Sequence, residues 1–121
     1  MKVYTNYNDF EKKFENLKKE YNGKMGTYLS LNGFVRDYDI INGEKVPAKE
    51  FKIKDIDFNL IENIANNAIS KFDLIDVLIY HTDKKVLSVG EAVTSIVVFS
   101  RHRREAFEAC NYIIDSIKKY H

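Results

Sequence analysis

Apolar side chains recur along this chain with the period of an α-helix in three segments. The first segment follows Asn8, a candidate capping residue, and stops at Asn22-Gly23. The second follows Asp57, and the third begins near Glu105 with Ser100 as its candidate N-cap. The apolar stripes that define the three predicted helices are Phe10, Phe14, Leu17 and Tyr21, then Ile61, Ile64, Ala65, Ala68 and Phe72, then Ala106, Cys110, Ile113 and Ile117.

Between the helices, shorter stretches alternate apolar and polar residues as half-buried strands do. Alternation over residues 26–36 and 46–56 predicts two strands, separated by a loop that contains the turn dipeptide Asn42-Gly43. Three further apolar stretches predict strands before the last helix, at residues 74–80, 86–89 and 91–99. This order of elements favours an α+β domain in which helices pack on a mainly antiparallel sheet.

Composition and charge narrow the class of protein. A chain of 121 residues is long enough to form one domain with a single core. The net charge of +1 argues against a general nucleic-acid-binding protein, and no apolar run is long enough to cross a membrane. Cys110 lies on the apolar stripe of the last helix, where a buried side chain is expected. We therefore expect a cytoplasmic protein, and the sequence has neither zinc-ligand spacing nor a phosphate-binding glycine loop, so no metal or nucleotide cofactor is indicated.

Four consecutive basic or titratable side chains, Arg101 to Arg104, join the last strand to the last helix. With Ser100 as N-cap, the first three of them fall in the first helical turn, where positive charge opposes the helix dipole. That placement favours a bound anion, and phosphate is the obvious candidate. The alternative is a solvated cluster whose arginines pair with Glu105 and Glu108, one helical turn ahead.

Three segments, in this order and at these separations, resemble the large, catalytic subunit of molybdopterin synthase. Gly26 to Asp37 is similar to that family's glycine, apolar strand and Gly-x-Val-Arg signature. Val86 to Glu91 resembles its hairpin and Val-Gly-Glu turn. His102 to Lys118 resembles its His-Arg-x-x-Ala-Phe helix, which ends in a lysine.

The resemblance implies an α/β hammerhead-type fold for residues 1–121 as a single domain, a homodimer, and a small ubiquitin-like sulfur-carrier partner. In that family the carrier's thiocarboxylated C-terminal tail enters a pocket of the large subunit. Two sulfurs are delivered to a cyclic pyranopterin monophosphate, which gives the dithiolene of molybdopterin in molybdenum or tungsten cofactor biosynthesis. By motif position, Arg36, His102 and Arg103 would bind the anionic substrate. Lys118 would be a catalytic lysine.

The spacing of these residues constrains the site. Arg103 and Lys118 are fifteen positions apart on one predicted helix, which separates them by about 22 Å along its axis. The family reaction therefore requires either two subsites in one chain or a dimer in which His102 and Arg103 of one protomer approach Lys118 of the other. Taken alone, Lys118 also fits a structural role, because a lysine at a helix C-terminus interacts favourably with the last carbonyl groups.

This sequence departs from the family pattern in three places. The family helix is followed by a Pro-x-Trp-Lys segment with a second catalytic lysine, whereas this sequence has no tryptophan and ends at Tyr120-His121. Phe51-Lys52-Ile53 stands where the family has a Glu-x-Tyr strand, and His81-Thr82 stands where it has His-Arg. Two other interpretations stay open: a non-catalytic relative that binds a pterin phosphate or a sulfur-carrier protein, and an unrelated interaction protein with a basic surface.

Overall fold

The computed structural model describes residues 1–119. Over these residues, strands precede the first helix and separate the three helices, which confirms the predicted α+β class. The elements, in chain order, are β1 (Val3–Tyr4), α1 (Tyr7–Glu20), β2 (Thr27–Phe34), β3 (Tyr38–Ile41), β4 (Glu44–Pro47), β5 (Glu50–Lys52), α2 (Phe58–Phe72), β6 (Asp76–His81), β7 (Val86–Ser88), β8 (Ala92–Ser100) and α3 (Arg103–Lys118).

A four-stranded sheet in the order β1, β6, β8, β2 organises the molecule. The pairs β6 with β8 and β8 with β2 are antiparallel, and β1 runs parallel to β6. Alternate residues of β8 point to opposite faces, so Val97 and Phe99 pack under α1 while Ile96 and Val98 pack under α2 and α3. Two separate two-stranded sheets, β3 with β4 and β5 with β7, lie beside this core.

The three predicted helices are present, and their N-caps show where the prediction was right and wrong. Asp57 caps α2 as predicted, accepting a hydrogen bond from Asn59 N–H at 2.9 Å. For α1 the cap is Asn6 and not Asn8, because the Asn6 side chain accepts from Asp9 N–H at 3.0 Å. For α3 the N-cap is His102 and not Ser100.

The region between the first two helices differs most from the prediction. The predicted loop is a hairpin, β3 with β4, that turns at Asn42-Gly43, where both residues have positive φ values of 52° and 79°. The single strand predicted over residues 46–56 is two short strands, β4 and β5, in different sheets. The two-residue strand β1 was not predicted at all, since an element that short carries no periodic pattern.

Candidate functional site

Arg36 follows the end of β2, and the neighbouring turn fixes its backbone. Val35 N–H donates to the Glu91 carbonyl at 3.0 Å, and Gly90 N–H donates to the Val35 carbonyl at 2.8 Å. Gly90 has a φ of +87°, which glycine adopts without strain in a tight turn. The Gly-x-Val-Arg segment and the Val-Gly-Glu turn, which are separate motifs in the sequence, are therefore hydrogen-bonded to each other.

The Glu91 carboxylate stabilises the turn at Gly90 and links it to the connection between β6 and β7. One oxygen accepts from Ser88 N–H at 3.0 Å, and the other accepts from Lys84 Nζ at 2.9 Å. The contact with Lys84, together with the Ser88 backbone donor, lowers the pKa of Glu91 below its ordinary value. Glu91 thus stays ionised near neutral pH and holds the turn against which Val35 is anchored.

A recess of about 250 Å³ opens beside Arg36. Aromatic rings of Phe34, Tyr38 and Phe51 line it, together with the carboxylates of Asp39 and Glu50. The Arg36 guanidinium lies over the Tyr38 ring, 5.0 Å from its centroid, and one of its nitrogens is 3.9 Å from Asp39 Oδ1. Since the guanidinium is exposed and its closest carboxylate is at the limit of an ion pair, it has donors available for an incoming anion.

The sequence did not identify Tyr38 and Asp39 as residues of this recess. Both lie on the hairpin that was predicted as a loop, and the hairpin carries them back towards the end of β2. The turn dipeptide Asn42-Gly43 was the available signal, since such a dipeptide between two short extended segments is typical of a two-residue hairpin.

The basic segment between β8 and α3 lies at the other end of the sheet. Ser100 still pairs with Thr27 in the sheet, so the helix cannot begin there; its hydroxyl instead donates to the His102 carbonyl at 2.6 Å. Arg101 and His102 therefore precede the helix, and only Arg103 of the three residues falls in its first turn. The prediction that all three occupy the first turn was wrong.

Arg101 is engaged within the fold. Its guanidinium donates to the Asp73 carbonyl at 3.1 Å and lies 3.5 Å from the Asp73 carboxylate, at the C-terminal cap of α2. The suggested pairing of Arg101 with Glu105 is thus replaced by a contact that joins α2 to the β8–α3 connection. His102 and Arg103 are exposed, so their side chains face solvent beside this connection.

The close approach of residue 26 to the Arg101 backbone explains why the first motif begins with a glycine. Its N–H donates to the Ser100 carbonyl at 3.0 Å, and a Cβ added to it would lie 2.0 Å from the Arg101 carbonyl oxygen. A side chain at position 26 cannot fit without moving the Arg101 backbone, because no real Cβ contact is that short. Gly26 therefore lets the start of β2 pass close under the basic segment.

We expect Gly26→Ala to destabilise the protein, because the added Cβ would displace the Arg101 backbone. The matched control is Gly23→Ala, because Gly23 has a φ of +85° but a Cβ added there would meet no atom within 4 Å, so it tests strain without a clash. Gly23→Ala should cost about 1 kcal/mol, and Gly26→Ala should cost clearly more, as measured by urea unfolding. Equal losses for the two variants would contradict the close approach.

Lys118 is the last residue of α3, and its side chain is exposed. Only Arg101 and His102 connect β8 to α3, and α3 packs against β8, β2 and α2, so the helix runs back along the sheet. Lys118 consequently lies towards the end of the sheet at which β2 ends and which Arg36 follows. The structure thus places Arg36 and Lys118 towards one end of the sheet, and His102 and Arg103 at the other.

The two ends are too far apart for one small ligand. Thr27 pairs with Ser100 and Phe34 pairs with Ala92, so the length of β2 separates the basic segment from Arg36 by about 23 Å. The candidate residues therefore do not form one cluster within a single chain. This separation matches the spacing argument made from the sequence for Arg103 and Lys118.

Two other titratable side chains, His81 and Cys110, lie in the interior of the fold. His81 is buried, with Nδ1 2.8 Å from the Thr82 carbonyl and the ring edge against Phe58. Cys110 is buried as predicted, and burial raises the pKa of its thiol. In this described part of the chain, no group of three or more His, Cys, Asp or Glu side chains could hold a metal ion. No helix of the same residues is long and apolar enough to cross a membrane.

The sequence matches known proteins along nearly its whole length. An uncharacterized protein of Methanocaldococcus jannaschii is 45% identical over 119 residues, which cover 98% of this chain and 99% of that protein. The molybdopterin synthase catalytic subunit of Pyrococcus abyssi is 41% identical over 95 residues, covering 78% of this chain and 62% of that subunit. This chain therefore spans less than two thirds of the length of that catalytic subunit.

Solved structures resemble this chain in fold, and a family match covers nearly all of its sequence. The molybdopterin biosynthesis MoaE protein of Burkholderia ambifaria superposes with a TM-score of 0.65 at 23% identity, covering 89% of this chain and 68% of that one. A complex of subunits 1 and 2 of the molybdopterin-converting factor from Helicobacter pylori gives a TM-score of 0.65 at 17% identity, covering 98% of this chain and 75% of that one. At these identities the likeness concerns the fold. Residues 5–120 match the family described as MoaE protein, and the chain belongs to that family.

Proposed function

We propose that this protein acts in molybdopterin biosynthesis as the large subunit of a molybdopterin synthase. In this role it transfers sulfur from a thiocarboxylated carrier protein to cyclic pyranopterin monophosphate. The observation that carries the proposal is the recess at the end of β2, where a family-signature arginine is held beside aromatic rings. The family and its named relatives support the same assignment. Such a biosynthetic protein is expected in the cytoplasm.

Arg36 is the residue that we assign to the substrate phosphate. Its forked guanidinium can donate two charge-assisted hydrogen bonds to phosphate oxygens, which a lysine could not do in the same geometry. The rings of Phe34 and Phe51 offer flat apolar surface for a planar pterin in the same recess. His102 and Arg103 are assigned to anion binding as well, at the other end of the sheet.

Lys118 is assigned a catalytic role in sulfur transfer. When water adds to the acyl carbon of the carrier's tail, negative charge develops on the acyl oxygen, and the carbon–sulfur bond then breaks to leave a carboxylate on the carrier. A nearby ammonium group can stabilise that charge or move a proton. The carrier's anionic tail must reach Lys118 for this step. A small sulfur-carrier subunit is therefore the partner that we propose.

We further propose that the protein works as a homodimer. Arg36 and Lys118 lie towards one end of the sheet, and His102 and Arg103 lie about 23 Å away at the other. A two-fold axis can bring the second pair of one protomer to the first pair of its partner. Each of the two sites would then contain residues of both chains.

Reconstitution tests the proposed function directly. The purified protein is mixed with a thiocarboxylated carrier subunit and cyclic pyranopterin monophosphate, and the dithiolene product is measured after its oxidation to a fluorescent pterin. The wild-type protein should form product, and Arg36→Lys should raise KM for the pterin more than it lowers kcat, because it keeps the charge and loses the fork. If the wild type forms no product with a carrier that is competent in a control synthase, the catalytic proposal is wrong.

A further inference from the structure

The recess beside Arg36 has more negative than positive charge in its lining. Of the described residues that line it, Arg36 alone is basic, whereas Asp39 and Glu50 supply two carboxylates. An incoming anion would be repelled by both carboxylates, and Asp39 would compete with it for the Arg36 guanidinium. Anion binding in this recess therefore calls for a second cation close to Arg36.

The β3–β4 hairpin places Lys45 against a ring that lines this recess. Lys45 Nζ lies 4.4 Å from the centroid of the Tyr38 ring, and Tyr38 is one of the lining residues. In the hairpin register Lys45 pairs with Ile40, two positions after Tyr38. Lys45 and Tyr38 are therefore diagonal neighbours on one face of the hairpin, a separation of about 7–8 Å that a long side chain spans.

The Tyr38 ring supports two cations at once. The Arg36 guanidinium carbon lies 5.0 Å from the same centroid that Lys45 Nζ approaches. These two distances limit the separation of the two cations to about 9.4 Å. A phosphate group whose oxygens accept from both side chains bridges cations about 6–8 Å apart. Rotation of the flexible lysine side chain is therefore enough to let one phosphate contact both.

The charge of Lys45 is available to such an anion. Its side chain is exposed, and the ion pairs within residues 1–119 do not include it. By contrast, Lys84 and Lys85 in the β6–β7 connection each contact a carboxylate. Two positive groups beside one ring also repel each other, and an anion bound between them relieves that repulsion.

We propose that Lys45 and Arg36 together form the anion site of the recess, and that Tyr38 positions both cations. The ligand is a phosphate group, because its tetrahedral oxygens can accept from the forked guanidinium on one side and from the compact ammonium group on another. Lys45 contacts the phosphate directly, whereas Tyr38 acts through the two side chains that it supports. That this phosphate belongs to the substrate of sulfur transfer rests on the proposed function.

A phosphate held in this way links the hairpin to the end of β2. β3 and β4 form a sheet of their own, and Ala48 N–H donates to the Asp37 carbonyl at 2.9 Å where the hairpin begins. Arg36 precedes that point, while Lys45 lies on the second strand of the hairpin. Bound phosphate should therefore slow the exchange of hairpin amide protons about threefold to fivefold, the same factor that Lys45 contributes to binding.

Titration with inorganic phosphate tests this anion site without any pterin. Binding is followed at the Arg36 Nε–H resonance by NMR, which is assigned by its loss in Arg36→Lys. Lys45→Met should raise the Kd for phosphate about threefold to fivefold, the scale of an exposed charge pair. The matched control is Lys71→Met, because Lys71 Nζ also lies over a tyrosine, 4.9 Å from the Tyr112 centroid, and neither residue lines the recess. The control should keep the wild-type Kd.

Two substitutions of Tyr38 test its positioning role. Tyr38→Phe keeps the ring face and should keep the wild-type Kd, whereas Tyr38→Leu removes the ring and should raise the Kd about threefold or more. In the Tyr38→Leu background, Lys45→Met should cost less than it does in the wild type, because the lysine is no longer held beside Arg36. Equal losses for Phe and Leu at position 38, or fully additive losses with Lys45→Met, would overturn the positioning role.

The remaining outcomes separate this proposal from the proposed function. An unchanged Kd for Lys45→Met, an equal change for Lys71→Met, or an Arg36 resonance that phosphate does not move would overturn the anion site. Phosphate binding that depends on Lys45 in a protein that forms no dithiolene would contradict only the proposed function. Dithiolene formation in which Lys45→Met keeps the wild-type Kd for phosphate and KM for the pterin would contradict only the role of Lys45.

Discussion

Replacing Lys118 by alanine should lower dithiolene formation by about 10² or more, and mixing with Arg103→Ala chains should restore part of the activity. Both variants lose a group that the proposed reaction needs, so each homodimer should be nearly inactive. A heterodimer of the two has one site that lacks both side chains and one site that is intact. An equal mixture contains heterodimers as about half of its dimers, so about one quarter of the wild-type activity should return.

The reason for this expectation is the separation of the residues in one chain. Arg103 begins α3 and Lys118 ends it, so about 22 Å of helix lies between them. If both act on one substrate, they must come from different protomers. Complementation in a mixed dimer is the direct consequence, because each variant chain still supplies the residue that the other has lost.

Lys119→Ala is the matched control for Lys118→Ala. Lys119 follows Lys118 at the C-cap of α3, so it carries the same charge in a direction rotated by about 100° around the helix axis. It should leave turnover unchanged. The two variant chains carry different affinity tags and are co-expressed, so that heterodimers are isolated before the assay. Inactive heterodimers would contradict cross-subunit sharing, and a fully active Lys118→Ala homodimer would contradict the role of Lys118.

The helices could be predicted because each buries one stripe of apolar residues, and the period of that stripe survives in the sequence. The strands Asp76–His81 and Ala92–Ser100 were found for a related reason, since the sheet buries most of their length and most of their residues are apolar. The hairpin Tyr38–Pro47 is mostly exposed, so burial leaves no alternating pattern to read. Its strands are specified by the turn at Asn42-Gly43 and by pairing, neither of which is periodic.

For the candidate site, the sequence suggested single residues but not their spatial relations. Arg36, His102 and Arg103 became candidates because they belong to local motifs. Their distribution over two ends of one sheet follows from the pairing of Thr27 with Ser100 and of Phe34 with Ala92, which is a long-range property. The N-cap of α3 was misplaced for the same reason, since Ser100 is a good capping residue whose backbone is held in the sheet.

Replacing Asp76 by alanine should cost about 3 kcal/mol of unfolding free energy, the largest loss that we expect from a single polar substitution. Asp76 is only 5% exposed, and its carboxylate accepts from Lys2 Nζ at 2.6 Å, Tyr21 hydroxyl at 2.6 Å and Val77 N–H at 2.8 Å. Burial and the Asp76 carboxylate raise the pKa of Tyr21, so its hydroxyl remains a donor. Alanine would remove the acceptor that these three donors share, of which Val77 N–H is buried and the side chains of Lys2 and Tyr21 are partly buried.

Three chain segments meet at this carboxylate, which is why its loss should affect the whole fold. Lys2 adjoins β1, Tyr21 is the C-cap of α1, and Asp76 begins β6. The matched control is Asp55→Ala, because Asp55 is an exposed carboxylate 3.6 Å from Lys85 Nζ, and exposed ion pairs add little stability. Urea unfolding should show a lower midpoint with an unchanged slope for Asp76→Ala and no clear shift for Asp55→Ala. The midpoint of Asp76→Asn should fall between those of the two alanine variants, since asparagine keeps an acceptor oxygen and loses the charge. Equal midpoints for all three variants would mean that the partly buried ion pair of Lys2 with Asp76 does not hold these segments together.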